Sequence, residues 1–355
     1  MVEVTKIGNK TLVMDGKILS LFRKGSLLRQ MYYGGYEDFD NANGGVWKKY
    51  INIPITTIPS EYAQYLIEID DTNVSVYNVE GTLKAQSAIA SEFWSLVRSD
   101  GFDIRAFDHL FNQLWFWVDE FDYTNKKAKI WVRLPENSEE LNIAFGNEKA
   151  SESSYKDSEN TFEFFDDFIT DTIASGKWEV VAGTWNVDTD NSLIWNDDTE
   201  FARIKSQFND IGNFVYELKL RHDEVGSYSW AGIEIKSPYT DYSTYDQGYM
   251  IIHYGDTGNV RILRADSGSI TELASATKSI SQGVWFILKV IYVDGTIKAY
   301  INDELITQAT DNTYQSGEVI RIWNNDNAQK TSFDYIRVFK LADPATFDTP
   351  RIMEF

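Results

Sequence analysis

The sequence predicts an all-β protein, with two β-sandwich (jelly-roll) domains in tandem and a small N-terminal β segment. Aromatic residues make up 15% of the 355 residues, and such side chains pack well on half-buried strand faces. Short segments of alternating apolar and polar residues recur, separated by turn signals such as Asp294-Gly295. Helical spacing of apolar residues is best at residues 85–97, which predicts one short helix.

Composition excludes several classes of function. The formal net charge is −21, so the chain lacks the basic footprint of a nucleic-acid-binding protein and is not expected to bind an anionic membrane surface. There are no cysteines, which excludes disulfides, Cys-ligated metals and Cys nucleophiles. No run of 18 apolar residues predicts a membrane helix. Residues 1–25 lack the apolar core of a secretory signal, so we expect a removed signal or export by another route, such as lysis after virion assembly.

The chain divides by composition into five segments. Residues 1–45 are predicted to form an attachment segment with a hairpin at Asp15-Gly16; alternatively, this strand pair completes the next domain. Residues 46–150 form a β-sandwich, 151–160 a polar linker, 161–342 a second sandwich and 343–355 a tail. The predicted strands fall at residues 65–70, 102–107, 114–120, 128–134, 141–145, 216–220, 231–235, 285–292, 297–301 and 333–339.

Sequence motifs in 46–150 resemble an uncharacterised domain family of archaeal and bacterial surface proteins. They are Trp47 with Tyr50, SDGFDIR (99–105), WFWVD (115–119), IWVRLP (130–135) and FGNEKA (145–150). Residues 161–342 resemble the concanavalin A-like (laminin-G-like) lectin or glucanase domain that often follows this family, on FFDDF (164–168) and FDYIRV (333–338). The resemblance implies a fold and a surface setting, and it carries over no catalytic residue.

Carboxylates and histidines do not form a recognisable catalytic set. Laminarinase-type glucanases place their acid and nucleophile in Glu-x-Asp-x-x-Glu on one strand face. The nearest match, residues 68–73, lacks the final Glu and lies outside the lectin-like domain, and Glu217 and Glu234 have no paired partner. His109, His222 and His253 are far apart in sequence, without metal-ligand spacing. The chain is therefore predicted not to be an enzyme.

A structural calcium ion is the one cofactor that the sequence suggests. Calcium binds six to eight hard oxygen ligands. Similarity to lectin-like sandwiches implies that calcium ties the first strand to the last, through Asp166, Asp167 and Asp334. Alternatively, Asp166 and Asp334 accept hydrogen bonds from turn amides at strand ends.

Aromatic loops are the candidate ligand-binding site. Sugar recognition needs exposed aromatic rings with polar neighbours, and three stretches offer them: Tyr228 with Trp230; Tyr239, Tyr242 and Tyr245; and Trp323. Alternatively, Trp230 and Trp323 are core residues. We assign six further tryptophans to the cores: Trp115, Trp117, Trp131, Trp178, Trp185 and Trp285.

Together these features predict a non-catalytic virion or cell-surface protein. It would be a spike, fibre, decoration protein or adhesin that binds a cell-surface glycan or polysaccharide through the lectin-like domain. We expect a homo-oligomer or attachment to a larger particle, because surface assemblies are commonly symmetric. The alternatives are a purely structural coat or spacer protein and, less favoured, a polysaccharide hydrolase.

Overall fold

Antiparallel β-sheets make up most of the chain, which confirms the predicted all-β class. The computed structural model describes residues 2–7, 10–15, 18–23, 26–32, 39–191, 193–196, 201–238, 247–325 and 330–355. The chain forms two units: unit 1 is Met1–Thr161 with Ala342–Phe355, and unit 2 is Phe162–Leu341. In the part of the chain that the structure describes, no helix is both long and apolar enough to cross a membrane.

Unit 1 contains three antiparallel sheets and two short helices among its described residues. Its elements are β1 (Val2–Ile7), β2 (Lys10–Asp15), β3 (Ile18–Arg23), β4 (Ser26–Tyr32), β5 (Lys49–Thr57), β6 (Ala63–Ile69), β7 (Val74–Asn78), β8 (Leu83–Ser87), α1 (Ala90–Leu96), β9 (Arg105–Phe107), β10 (Phe116–Asp122), β11 (Lys127–Leu134), β12 (Glu140–Phe145), α2 (Ser158–Thr161), β28 (Thr346–Phe347) and β29 (Arg351–Glu354). The predicted pairing of β2 with β3 is confirmed, whereas Gly16 in the predicted turn lies outside the described residues.

The sandwich of unit 1 packs sheet β10-β11-β6-β7-β8 against sheet β28-β5-β12-β9, in which β29 also pairs with β5. Its core is continuous across the two sheets, with Ile51, Ile67, Ile130 and Ile143 all fully buried. These residues alternate with more polar neighbours, so each strand turns one apolar face inward.

Two predictions for unit 1 are wrong, and a third segment differs from expectation. The helix predicted at 85–97 is shorter in the structure, where α1 spans Ala90–Leu96. Residues 83–87 instead form the edge strand β8, which pairs with β7. The predicted tail, 343–355, contributes β28 and β29, which pair with β5. The predicted linker, 151–160, includes the start of α2, and the Asp157 amide donates to the carbonyl of Phe116 at 3.0 Å. The sequence signal failed because short edge strands carry few apolar residues.

Unit 2 is a sandwich of two larger antiparallel sheets. Its strands are β13 (Phe164–Asp166), β14 (Glu179–Ala182), β15 (Trp185–Asp188), β16 (Leu193–Asn196), β17 (Phe201–Ile211), β18 (Phe214–His222), β19 (Trp230–Ser237), β20 (Gln247–Tyr254), β21 (Asn259–Asp266), β22 (Ile270–Thr277), β23 (Phe286–Val293), β24 (Thr296–Ile301), β25 (Glu304–Thr310), β26 (Ser316–Asn325) and β27 (Thr331–Lys340). Sheet I has the order β15-β16-β27-β18-β23-β24-β25, with β13 also on β27; sheet II has the order β14-β17-β26-β19-β20-β21-β22.

Hairpin turns in sheet I have the chemistry that the sequence predicted. Asp294 and Gly295 both have positive φ, at 46° and 79°, and connect β23 to β24 as a two-residue turn. Asn302 and Asp303 do the same between β24 and β25, with φ of 49° and 66°. Two positive φ values define the type I′ turn, whose twist matches that of the flanking strands. These turns fix the register that directs alternate side chains into the core.

Candidate functional site

The six predicted ligand-binding aromatics do not form one exposed site. Tyr228 is exposed over 73% of its surface, but Trp230 and Trp323 are 5% and 0% exposed. The alternative that these tryptophans are buried is therefore correct, and neither ring offers a platform to a ligand. The other three, Tyr239, Tyr242 and Tyr245, lie outside the described residues.

Trp323 lies in a buried polar network on the outer face of sheet II. Its Nε1 donates to Glu234 Oε2 at 2.6 Å, and Ser237 Oγ donates to the other oxygen of Glu234 at 2.9 Å. The Arg203 guanidinium lies 5.0 Å from the centre of the Trp323 ring. Arg321, fully buried, stands 3.9 Å from Glu234. Glu234 is thus bonded on both oxygens, and its side chain is fully buried.

Two of the three aspartates predicted to bind calcium, Asp166 and Asp334, contact other groups of the protein. Asp166 accepts hydrogen bonds from the amide of Phe168 (3.0 Å) and from Trp178 Nε1 (2.6 Å). Asp334 instead forms an ion pair with Lys219. Among the described residues, no group of three or more His, Asp or Glu side chains could hold a metal ion. The calcium site at Asp166, Asp167 and Asp334 stays a prediction, and Asp166 accepts a hydrogen bond from a turn amide, as the alternative expected.

Two histidines that are distant in sequence meet inside unit 2. His222 Nε2 and His253 Nδ1 lie 3.1 Å apart, and their rings stack at 5.3 Å. The outer nitrogens contact the Thr331 hydroxyl and the Lys278 carbonyl oxygen. Burial lowers the pKa of His222 to about 3. Sequence spacing did not reveal this pair, because the two residues come from different sheets.

The partly exposed aromatic surface of unit 2 lies on the outer face of sheet I. Register places Trp195 beside Ser332 and Ser332 beside Arg221, and the Arg221 guanidinium lies 4.5 Å from the centre of the Trp285 ring. We call this surface the Trp285 platform; it comprises Trp195, Lys219, Arg221, Asp223, Trp285, Lys330, Ser332, Asp334 and Tyr335. Strands β16 and β23 are three strand spacings apart, about 14 Å.

Each tryptophan of the Trp285 platform has a cation against its ring. Lys330 Nζ lies 4.0 Å from the centre of the Trp195 ring. Lys219 Nζ lies between Trp285 and Tyr335, 5.6 and 5.7 Å from the two ring centres. Such contacts contribute about 0.5–1 kcal/mol at exposed sites and fix ring orientation.

Two carboxylates, of Asp223 and Asp334, and the Ser332 hydroxyl also belong to the Trp285 platform. Asp223 forms an ion pair with Arg221 and accepts a hydrogen bond from Ser332 Oγ. The Lys219 and Asp334 side chains are 32% and 27% exposed, so their outward atoms remain open to solvent. The Trp285 platform therefore combines rings, donors and acceptors that are already held in place.

Predicted core tryptophans divide into two groups. Trp131 and Trp178 are buried, and Trp185 packs against the core of unit 2, as predicted. The prediction is wrong for Trp115, Trp117 and Trp285, which are only partly buried. A signal for Trp285 was present, because Lys219 and Arg221 alternate on β18 and mark the face that points away from the core.

In unit 1, the SDGFDIR motif builds a structural centre around Arg105. The Arg105 side chain is fully buried and donates to Asp40 Oδ1 at 2.8 Å and to the Ser151 carbonyl at 2.8 Å. Its guanidinium lies 4.9 Å from the centre of the Trp47 ring. Burial raises the pKa of Asp103, although its carboxylate accepts the amides of Gly146 and Arg98. Each charged group of this motif holds backbone in place.

Part of the chain matches a known domain family. Residues 100–181, less than a quarter of the chain, match a family described as a domain of unknown function, DUF2341. The match includes Asp103 and Arg105 and extends into unit 2. It agrees with the predicted resemblance to an uncharacterised family. No curated protein matches the sequence significantly.

Several solved structures are similar to about half of this chain. The carbohydrate-binding module CBM66 from Bacillus subtilis is 17% identical, with 46% of this chain and 96% of that chain covered and a TM-score of 0.40. A Bacillus licheniformis β-glucanase is 13% identical over 50% and 98% of the two chains, with a TM-score of 0.39. The exoplasmic domain of VIP36, solved with Ca²⁺ and Man3GlcNAc, is 12% identical over 47% and 84%, also with a TM-score of 0.39. These similarities assign no ligand to this chain.

Proposed function

We propose that the chain is a non-catalytic glycan-binding protein of a virion or cell surface, serving as a spike, fibre, decoration protein or adhesin. Unit 2 would hold the glycan on the Trp285 platform. The observation that carries this proposal is the placement of two partly exposed tryptophans, Trp195 and Trp285, on one face of sheet I with polar groups between them.

The chemistry of the Trp285 platform suits a polymeric sugar. The C–H face of a pyranose ring is apolar and packs on an aromatic ring, while its hydroxyls need both donors and acceptors. Arg221 supplies donors, Asp223 supplies acceptors, and both are fixed by their mutual ion pair. Trp195 on β16 and Trp285 at the start of β23 come from strands about 14 Å apart, so their rings would contact separate residues of one extended chain. An oligosaccharide is therefore favoured over a monosaccharide.

A binding role without catalysis agrees with the state of the carboxylates that the sequence singled out. Glu217 lies between Arg337 and Lys289, whose nitrogens are 2.7 and 3.1 Å from its two oxygens. Burial raises the pKa of Glu217, but these two cations outweigh burial and lower it overall. Asp70 accepts backbone amides in its own turn. Retaining glycosidases instead need two carboxyl groups about 5–5.5 Å apart, facing the substrate.

The test is a glycan array probed with the full chain and with two variants, Trp285→Ala and Trp195→Ala. We expect binding to polymeric glycans and at least a tenfold loss in each variant, taking the value of about 1–3 kcal/mol for a base stacked on one aromatic ring as the scale for a sugar face. Trp117→Ala is the matched control, because Trp117 is also partly exposed with a cation, Lys156, 5.7 Å from its ring centre, but lies in unit 1. Binding by this control should equal that of the unmodified chain.

The glycan array is also probed in the presence of calcium and in the presence of a chelator. We expect equal glycan binding under the two conditions, because Asp166 and Asp334 already contact Trp178 and Lys219. Absence of binding to any glycan would overturn the proposal and favour a coat or spacer role. Release of reducing ends from mixed β-glucans would instead favour a hydrolase.

A further inference from the structure

A lysine and an aspartate are completely buried against one another in unit 2. Lys236 Nζ lies 2.6 Å from Asp210 Oδ1, and both side chains are 0% exposed. We propose that these two side chains condense into an amide, so that an isopeptide bond between Asp210 Cγ and Lys236 Nζ covalently joins β17 to β19. The proposal is independent of glycan binding.

Irregularities in two strands bring the pair together. Strict alternation along β19 would place Lys236 with Glu234 on the outer face of sheet II. The register of β19 against β26 shifts between Glu234 and Ser237, and Lys236 has a left-handed φ of 55°. The side chain therefore turns inward. A second register shift, between Gln207 and Asp210 in β17, places the carboxylate opposite it.

Aromatic side chains surround the amine. Lys236 Nζ lies 4.3 Å from the centre of the Tyr292 ring and 5.3 Å from that of Phe214. It also donates to the carbonyl of Gly212 at 2.7 Å. Burial lowers the pKa of Lys236, although the charge of Asp210 opposes this change. Burial thus makes the neutral amine, which is the nucleophile that amide formation requires, easier to reach than it is in water.

The carboxyl group of Asp210 is held as an acyl donor. Its Oδ2 accepts the backbone amide of Lys236 at 2.7 Å, which is the contact that an oxyanion hole provides. Its Oδ1 accepts hydrogen bonds from Lys236 Nζ and from the Tyr216 hydroxyl. One oxygen is therefore positioned to carry the developing negative charge, and the other to leave.

The reaction converts an ammonium and a carboxylate into an amide and one water molecule. The ammonium of Lys236 first gives one proton to Oδ1, and its freed lone pair attacks Cγ of Asp210. The C–N bond forms as the C=O electrons move to Oδ2. A second proton passes from nitrogen to Oδ1 through the Tyr216 hydroxyl, the Cγ–Oδ1 bond breaks, and water leaves. Nitrogen keeps its third proton, and no oxidant or cofactor is needed.

Burial makes this condensation favourable where it would fail in water. Two groups held in contact react with the advantage of a unimolecular step. Removing an ion pair from an apolar interior also relieves the desolvation cost that both charges carry. The released water passes to solvent, and because both side chains are 0% exposed, burial limits the access of water for the reverse hydrolysis.

Intact mass spectrometry of the denatured full chain tests the proposal. The expected mass is lower than the sequence mass by one water molecule. Tryptic digestion should then fail to cleave after Lys236, and the fragments that contain Asp210 and Lys236 should be recovered as one branched peptide. A chain of full sequence mass, from a sample shown by circular dichroism to be folded, would overturn the proposal.

Two variants separate the cross-link from other losses of water. Lys236→Met and Asp210→Ala should both have their full sequence masses. A water loss that persists in Lys236→Met would indicate a succinimide at an aspartate and would also overturn the proposal. Tyr216→Phe keeps both reacting groups but removes the proton relay, so it should fold and show a reduced cross-linked fraction soon after synthesis. The measurement on the unmodified chain decides the matter even if a variant fails to fold.

Discussion

His222 Nε2 and His253 Nδ1 lie 3.1 Å apart and connect β18 of sheet I to β20 of sheet II inside the sandwich of unit 2. Phe286 packs against both rings, with centres 5.9 and 4.7 Å away. Burial lowers the pKa of both histidines, that of His222 to about 3, and the nearby His253 adds to the effect on His222. Both imidazoles are therefore harder to protonate in the folded protein than in the unfolded chain.

This pair predicts that unit 2 loses stability in mild acid. An unfolded histidine binds a proton near pH 6.5, whereas folded His222 does so only near pH 3. The unfolded state binds more protons in this window, so the free energy of unfolding falls as the pH decreases, by up to about 1.4 kcal/mol per pH unit for His222, and the lowered pKa of His253 acts in the same direction. Urea unfolding of unit 2 at a series of pH values measures the slope.

The double variant His222→Gln/His253→Gln should flatten that slope. His109→Gln is the control, because His109 lies in unit 1 and only accepts the Glu139 amide at 3.2 Å. If the double variant and the control have equal slopes, the acid sensitivity of unit 2 has another origin.

Arg105 should be the most sensitive charged position of unit 1. Replacing it with lysine removes the planar guanidinium group that donates hydrogen bonds to Asp40, to the Ser151 carbonyl and to nearby carbonyls. Removing one partner of a buried ion pair lowers the free energy of unfolding by about 3–5 kcal/mol. We expect the loss for Arg105→Lys to approach the lower value. Chemical denaturation of the full chain measures this loss.

Lys48→Ala supplies the comparison for Arg105. Its ion pair with Glu148 is exposed, at 47% and 80% of the two side chains, and such pairs are worth about 0–1 kcal/mol. A loss for Arg105→Lys no larger than that for Lys48→Ala would show that the buried network is not stabilising.

The segment 343–355 should contribute to the stability of unit 1. Phe347 of β28 packs edge to face against Tyr65, with ring centres 4.9 Å apart. Phe347→Ala should destabilise unit 1 by about 1–3 kcal/mol, because it removes a partly buried aromatic ring. Thr349→Ala, at an exposed position two residues away, should change stability by less than about 0.5 kcal/mol. Equal midpoints of thermal unfolding for the two variants would mean that the segment behaves as a tail.

Local patterns were sufficient to predict the regular parts of the fold. The alternation of Tyr216, Leu218 and Leu220 predicts a strand with one buried face, and all three side chains lie in the core of unit 2. The Asp294-Gly295 turn was equally predictable, because residues that tolerate positive φ are few. Both features depend on neighbours within a few positions of the sequence.

Features that depend on distant partners were not predictable. Lys236 faces inward only because a register shift and a positive φ interrupt the alternation of β19. Trp323 looks like a loop residue beside Asn324 and Asn325, yet it lies within β26 and bonds Glu234 from a neighbouring strand. Trp285 looks like a core residue, yet it lies partly exposed beside Arg221 on the outer face of sheet I. Each depends on strand register, which no single segment encodes.

The return of residues 342–355 to unit 1 has a mechanical consequence. Residues 39–161 and 342–355 belong to the same unit, with unit 2 inserted between them in the sequence, and β29 pairs with β5 through residues such as Met353 and Tyr50. Tension applied between residues 39 and 355 is therefore carried by the hydrogen bonds of unit 1, and unit 2 bears no load until those bonds give way. A protein that is pulled in this manner keeps its second sandwich folded and available while the first resists the force.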